Sequence, residues 1–343
     1  MIRKFSRYER QYILKEIGRE GQARLDRASV AVVGIGALGT VSADLLARAG
    51  IGRLKLIDRD FLEMNNLQRQ VLFDEKDLAD NLPKAVAAQR KLERVNSEIR
   101  ISSETADVNA GTIHELLDGT DLIVDGTDNF ETRFLLNDYA LENKIPWIYG
   151  GAVQTEGMSY VVLPGHGPCL RCLFGSAPNP EDAQTCDRVG ILAPVAHLIA
   201  SFQAVEAIKI LAGRKEDVER KLWKVDLWSR QFKAISVDHL KKSPCDGCRK
   251  KDYIYLDRKA GARAVSLCGR DSVQIVPHEK KGPDLRLLAA HLAGKGELKV
   301  NDYLLRCVFD GYEMTVFADG RAVIKGTEDI RKAKSLYAKY IGC

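Results

Sequence analysis

The sequence predicts an α/β protein: a mostly parallel, Rossmann-like sheet with an antiparallel extension, followed by a small α+β unit. Three observations carry this expectation. A β-branched strand, Ser29–Val33, runs into Gly34-Ile35-Gly36-Ala37-Leu38-Gly39 and then into a helix. Short apolar strands alternate with helical segments as far as Tyr149, the pattern of a parallel sheet covered on both faces. Beyond residue 250, two Asp-Gly turns separate apolar runs, a strong hairpin signal.

In chain order, Tyr8, Tyr12, Ile13 and Ile17 recur at helical spacing and predict an amphipathic helix over Arg7–Leu25. The strand Ser29–Val33, a helix from Thr40 to Ala49 and the strand Arg53–Asp58 make the first βαβ unit. A helix over Pro83–Val95, a strand near Ile99–Ile101 and a helix over Ile113–Leu117 follow. Next come the strand Asp121–Asp125, a helix over Phe130–Asn143 and the strand Pro146–Tyr149. Strands near Met158–Leu163 and Leu222–Val237 flank an apolar helix over Pro194–Leu211 and supply the antiparallel extension. The tail predicts a three-stranded meander over 303–309, 312–318 and 321–326, then a helix capped by Thr327 with Glu328 and Asp329 in its first turn. The expected division is residues 1–249 and 250–343, for a chain of 343 residues.

Composition narrows the function class. Hydrophobic residues at 45% and charged residues at 29% are ordinary for a soluble globular chain. A net charge of +5, spread along the chain, is too mild to indicate nucleic acid and suits an acidic protein partner. No apolar run approaches the ~20 residues of a membrane span, and the polar N-terminus offers no secretory core. A cytoplasmic setting is therefore expected, where eight cysteines are better metal ligands, thiols or buried small residues than disulfides.

Gly34, Gly36, Ala37 and Gly39 form a turn between strand and helix, where the backbone can approach a phosphate and a helix N-terminus offers free N–H groups. Asp58 follows Gly39 by 19 residues at a strand end, suitably placed for ribose hydroxyls. This fingerprint does not choose the nucleotide. Asn65-Asn66-Leu67-Gln68-Arg69-Gln70 and Lys84 add amide, guanidinium and ammonium groups beyond the same strand, which suits a triphosphate; the plain alternative is a polar surface loop. Asp128 and Asn129, in Gly126-Thr127-Asp128-Asn129, stand after another strand on the same sheet edge. A carboxylate there can hold Mg²⁺ against phosphates, and either residue can also cap the helix at Phe130.

Cys169-Leu170-Arg171-Cys172 and Cys245-Asp246-Gly247-Cys248 give the most specific signal. Each CxxC knuckle offers two thiolates, and four thiolates make a closed, structural zinc site. With 72 residues between the knuckles, such a zinc staples distant segments; a redox CxxC and coincidence are the alternatives. Cys186, beside Asp187-Arg188 in a polar loop, is a candidate nucleophilic thiol, the alternative being a spare one. Cys268, Cys307 and Cys343 carry less, and the six histidines show no metal spacing.

In order and spacing these motifs, together with Arg7-Tyr8-Glu9-Arg10-Gln11 and Pro83-Lys84, resemble the E1-like MoeB/ThiF adenylyltransferases of the ubiquitin-activating-enzyme-like superfamily over about residues 1–250. The resemblance implies ATP-dependent adenylation of the C-terminal Gly-Gly carboxylate of a ubiquitin-like sulfur carrier. Pyrophosphate is released, and a persulfide donor then supplies sulfur. It implies that Arg10 reaches across a homodimer to the partner's ATP and that Asp58 takes the ribose. Asn66, Arg69 and Lys84 would hold the triphosphate, and Asp128 would lie near Mg²⁺ and phosphate. The two knuckles would bind zinc, and Cys186 falls where some members link covalently to the carrier. Residues 250–343 do not read as a sulfurtransferase domain, having no complete cysteine loop, nor as a fused carrier, since the sequence ends Ile341-Gly342-Cys343 rather than Gly-Gly; a small α+β accessory domain is expected. Two competing readings are an NAD-dependent oxidoreductase, resting on the Gly-rich turn and Asp58 alone, and a non-catalytic adaptor that binds a carrier. A relative acting on a tRNA base is disfavoured by the paired knuckles and the mild charge.

Overall fold

The computed structural model describes residues 6–176, 189–242, 244–257, 264–267, 271–276, 282–294 and 296–341. Cys186, Cys268 and Cys343 lie outside the described residues. The described chain forms two compact units, one from residues up to 257 and one from residue 264 onward.

The first unit holds an eight-stranded sheet among the described residues. β1 (Ser29–Val33), β2 (Arg53–Ile57), β3 (Arg100–Glu104), β4 (Leu122–Asp125) and β5 (Trp147–Val153) run parallel in the order β3-β2-β1-β4-β5. β6 (Glu156–Val162), β7 (Leu222–Asp226) and β8 (Gln231–Ile235) continue it antiparallel. The extension therefore begins at β5, which pairs with β6 along its whole length, from Trp147 opposite Val162 to Val153 opposite Glu156. The run Leu222–Val237 resolves into a hairpin, with Asp226 opposite Gln231 and Arg230 in left-handed backbone (φ 54°).

β1 and β4 are wholly buried and carry no alternation, as strands covered on both faces must be. Several helices provide the cover. α3 (Ala37–Ala49) starts inside the Gly-rich turn, three residues before the expected Thr40, and ends at Gly50 in left-handed backbone. α5 (Lys84–Val95) and α7 (Phe130–Asn143) follow the expected bounds closely. The N-terminal segment is not one helix. α1 (Glu9–Tyr12) and α2 (Gly18–Leu25) are separate, and Gly18 at φ 63° takes a conformation no helix interior accepts.

α4 (Glu75–Ala79) and α6 (Ile113–Leu116) are short; α8 (Leu170–Phe174) is equally short and carries one cysteine knuckle. α9 (Ala193–Leu211) corrects the expectation that no segment approaches membrane-span length. It has 19 residues and a mean hydropathy of 1.3 in its most apolar window, long and apolar enough to cross a bilayer. Half of it is buried, and it packs on α3 and β5. A helix enclosed on most sides is apolar on most sides.

The second unit is an antiparallel sheet in the order β11-β12-β13-β14-β10-β9. Its strands are β9 (Ala264–Leu267), β10 (Ser272–Ile275), β11 (Leu298–Val300), β12 (Leu304–Phe309), β13 (Tyr312–Phe317) and β14 (Ala322–Lys325). The expected meander is present as β12-β13-β14 inside this wider sheet. α10 (Leu285–Leu292) and α11 (Ile330–Tyr340) cover one face, around Leu305, Cys307, Met314, Val316 and Ile324. The cap of α11 is Asp329, whose carboxylate accepts from Arg331 N (2.8 Å) and Lys332 N. Thr327 instead accepts from Asp329 N, one step upstream of the expected role.

Candidate functional site

Strand order reverses between β1 and β4, since the chain moves outward to β2 and β3 on one side and to β5 on the other. The carboxyl ends of two such strands flank a crevice, the usual ligand position in an open α/β sheet. Backbone contact builds its floor. Gly34 (φ 87°) packs so closely on the turn after β4 that a Cβ there would lie 2.7 Å from the Gly126 carbonyl. A Cβ on Gly39 would lie 1.8 Å from Gly34 O, and one on Gly126 would lie 2.2 Å from that same oxygen. Three glycines thus lock the two turns together, and Gly126 was not among the expected site residues.

Asp58, just past β2, reaches into the Gly-rich turn. Its Oδ2 accepts from Ile35 N (2.6 Å) and its Oδ1 from Asp60 N (2.7 Å). Burial pushes its carboxyl up, and the Lys84 ammonium works against that shift. Each oxygen keeps a further lone pair for a ligand hydroxyl. Lys84 opens α5 almost fully buried, with Nζ 3.5 Å from Asp60 Oδ2. Arg69 is partly exposed and donates to Asn65 O (2.6 Å). Asn66 is buried within the same turn, where Oδ1 accepts from Glu63 N and Nδ2 donates to Asn65 Oδ1. Its visible task is to shape the loop carrying Arg69.

On the other side of the crevice, Asn129 rather than Asp128 caps α7: its Oδ1 accepts from Thr132 N at 2.8 Å. Asp128 is exposed at the sheet edge. Arg59 shows how much negative charge gathers here. Burial opposes its positive form, but Asp107 at 2.8 Å, Asp60 and Asp128 together hold its pKa up.

Arg133 is the residue that sequence reading missed. Its Nε donates to Asp125 Oδ2 (3.2 Å), and its Nη2 donates to Thr127 O (2.5 Å) and Gly150 O (3.1 Å). Asp125 is fully buried and also accepts from Thr127 N and Thr127 Oγ1. Gln203 of α9 donates to Asp125 O and Ile148 O. Together these bonds fix the Thr127–Asn129 turn.

Arg10 stands apart. Asn96 Nδ2 donates to Tyr8 Oη and Ala47 O, and Gln11 Nε2 donates to Ala49 O. These bonds fasten α1 to the C-terminal end of α3 and leave Arg10 exposed. The Gly-rich turn lies at the opposite end of α3, about 18 Å away for a 13-residue helix.

The four knuckle cysteines converge. Their Sγ atoms all lie within 4.8 Å of one another, with Cys169–Cys172 at 3.8 Å, Cys169–Cys245 at 3.7 Å and Cys172–Cys248 at 3.5 Å. A tetrahedron of thiolates about 2.3 Å from zinc has edges of about 3.8 Å, so the donor set fits that ion. Among the described residues this is the one Cys/His/carboxylate cluster of metal-binding shape. Neighbouring groups brace it: Asn137 Oδ1 accepts from Leu170 N, and Arg171 donates to Asp252 O at 2.6 Å and lies 3.7 Å from Asp138. Burial pushes Asp138 up to about 6 despite that guanidinium. Cys307 is different: enclosed in the second unit's core, its thiol is pushed up to about 12 by burial and is unsuited to reaction.

The chain is similar to known proteins in sequence and fold. The ThiF family model matches residues 8–247. The chain is similar to the sulfur carrier protein ThiS adenylyltransferase of Bacillus subtilis, 42% identical over 337 residues, covering 98% of this chain and 99% of that one. It is similar to the sulfur carrier protein adenylyltransferase of Thermus thermophilus, 36% identical, covering 70% and 90%. The adenylyltransferase and sulfurtransferase MOCS3 of Culex quinquefasciatus is 38% identical over 71% of this chain, which spans about half (55%) of that relative. Among solved structures, E. coli MccB with ATP superposes with a TM-score of 0.60 at 25% identity, covering 71% of this chain and 74% of that one.

Proposed function

We propose, from the premise that the chain belongs to the ThiF family, that it adenylates the C-terminal Gly-Gly carboxylate of a ubiquitin-like sulfur carrier at the expense of ATP. The single observation carrying this reading is the crevice itself: two glycine-locked turns with Asp58 and Lys84 on one side and Asp128 on the other. A carboxylate oxygen of the carrier attacks the α-phosphorus of ATP. A new C–O–P link forms, the bridging α–β oxygen leaves with pyrophosphate, and the product is an acyl-adenylate. Positioning for in-line attack and stabilisation of phosphate charge make up most of such catalysis.

In this reading the N–H groups of Gly36, Ala37 and Gly39 face phosphate at the start of α3, and Asp58 takes the ribose hydroxyls. Lys84 and Arg69 exchange their present carboxylate and carbonyl partners for phosphate oxygens, while Asn66 holds their loop. Asp128, an exposed hard oxygen donor, is suited to Mg²⁺, which supplies charge neutralisation for the phosphates when bound; Asn129 holds the turn. Cys169, Cys172, Cys245 and Cys248 hold zinc in a structural role, because four thiolates leave no open position.

The reading extends to a homodimer acting in the cytoplasm. Arg10 lies a helix length from the turn of its own subunit, which favours its use on a partner's ATP. Cys186 is the acceptor thiol, a persulfide is the sulfur donor, and the second unit is an accessory domain; the first unit runs past the expected boundary at 249, since Tyr255 belongs to its core. An NAD-dependent oxidoreductase would use the Gly-rich turn and Asp58 but leaves Lys84 and Asp128 without a task. The test is pyrophosphate release with Mg-ATP and ThiS. Release that requires both substrates supports adenylation, and tight NAD binding without ATP binding in calorimetry contradicts it.

A further inference from the structure

Gln70 closes the run that carries Asn66 and Arg69. It is 3% exposed, and its Oε1 is a buried acceptor without a hydrogen-bond partner. Its main chain is fixed, with N donating to Asn66 O and O accepting from Phe73 N. The side chain ends on the Gly-rich turn, with Nε2 4.0 Å from where a Cβ of Gly36 would lie. Buried amide oxygens are nearly always paired; here Nε2 lies nearest the turn and Oε1 is enclosed, so a half-turn of the amide is what brings the unpaired oxygen to the crevice and to a donor on the ligand.

The donor's identity follows from chemistry. Phosphate oxygens accept and cannot pair with Oε1. In the proposed reaction the donors are the ribose hydroxyls, the adenine amino group and the peptide N–H of the carrier's terminal glycine. Asp58 is already placed for the hydroxyls, and the adenine amino group is at the far end of the nucleotide from its phosphates. The terminal N–H adjoins the reacting carboxylate, which must meet the α-phosphate at this turn.

Resting on the adenylation reading, we propose that Gln70 binds the carrier's tail: its Oε1 accepts the terminal peptide N–H and aligns the carboxylate for attack. The side-chain amide turns about a broad torsion to present that oxygen. The pairing excludes a proline or otherwise N-substituted terminal residue, since a substituted nitrogen has nothing to donate.

The test is steady-state pyrophosphate release with ThiS, titrating carrier and ATP separately for the full-length protein and for Gln70→Leu. The expected result is a carrier KM raised about 10-fold, with the ATP KM changed less than about twofold. A rise confined to ATP, or no rise in either, overturns the assignment. A carrier ending in N-methylglycine gives a second arm that needs no variant. The wild-type rate should fall about 10-fold with it, and an undiminished rate contradicts the proposal even if Gln70→Leu fails to fold. A wild-type protein inert with every Gly-Gly carrier removes the adenylation reading and this proposal with it. Loss of the effect alone removes only the role of Gln70.

Discussion

The crevice and the cysteine cluster are built on opposite principles. At the crevice, backbone meets backbone: Gly34, Gly39 and Gly126 leave no room for a single added carbon, and side chains approach only from the rim. At the cluster, side chains from segments 76 residues apart meet, and the backbone merely presents them. The first arrangement tolerates no new atom. The second depends on four particular atoms, all supplied by one residue type. The difference teaches where each kind of damage should appear, because a locked turn fails by collision whereas a staple fails by release.

The largest effect expected is at the lock. Gly39→Val places a branched side chain where even a Cβ would lie 1.8 Å from Gly34 O. We expect a loss of about 4 kcal/mol or more, read as failure to give a cooperative thermal transition. A variant that melts like wild type would show that the turns are not locked.

Asp128→Ala should separate chemistry from stability. Asp128 is exposed and leaves capping to Asn129. Carrier-dependent pyrophosphate release should drop about 100-fold or more, with the melting temperature nearly unchanged. An equal fall in both would make Asp128 a structural residue.

The staple comes next. Cys172→Ser should release the metal, measured by elemental analysis of the purified protein. The cost should be about 3 kcal/mol, a fall of roughly 6–12 °C in the first unit's transition. Metal-free wild-type protein of undiminished stability would sink the structural role.

The smallest effect is at the cap. Asn129→Ala removes the acceptor for Thr132 N and should cost about 1 kcal/mol in denaturant unfolding. A cost near zero would mean that water or Asp128 takes over the N-terminus of α7.

How far the sequence reveals this comparison depends on the distance over which each feature is encoded. Strands β1, β2 and β4 and the helix Phe130–Asn143 are legible because their apolar runs and caps are local. The knuckles are legible as pairs, and four thiol ligands suggest their meeting. The lock is only half legible. Gly34, Gly36 and Gly39 make a recognisable turn, but the partner Gly126 acquires meaning only once β1 and β4 are neighbours. Arg133 reads as one more charged position in a helix, and its buried bonds to Asp125, Thr127 and Gly150 join three segments that no spacing rule connects. The break between α1 and α2 was hidden for the opposite reason: the helical periodicity continues across it, and only Gly18 signals the stop. The same distance effect conceals Gln70, whose unpaired oxygen is a property of its surroundings rather than of its motif.

The most direct test of the central claim is mass spectrometry of ThiS after incubation with the protein and Mg-ATP. Adenylation gives a mass increase of one adenylyl group on the carrier's C-terminus, with one pyrophosphate released for each, and neither product from a carrier lacking its final glycine. Pyrophosphate release that is independent of carrier, or an unmodified carrier beside consumed ATP, would contradict it.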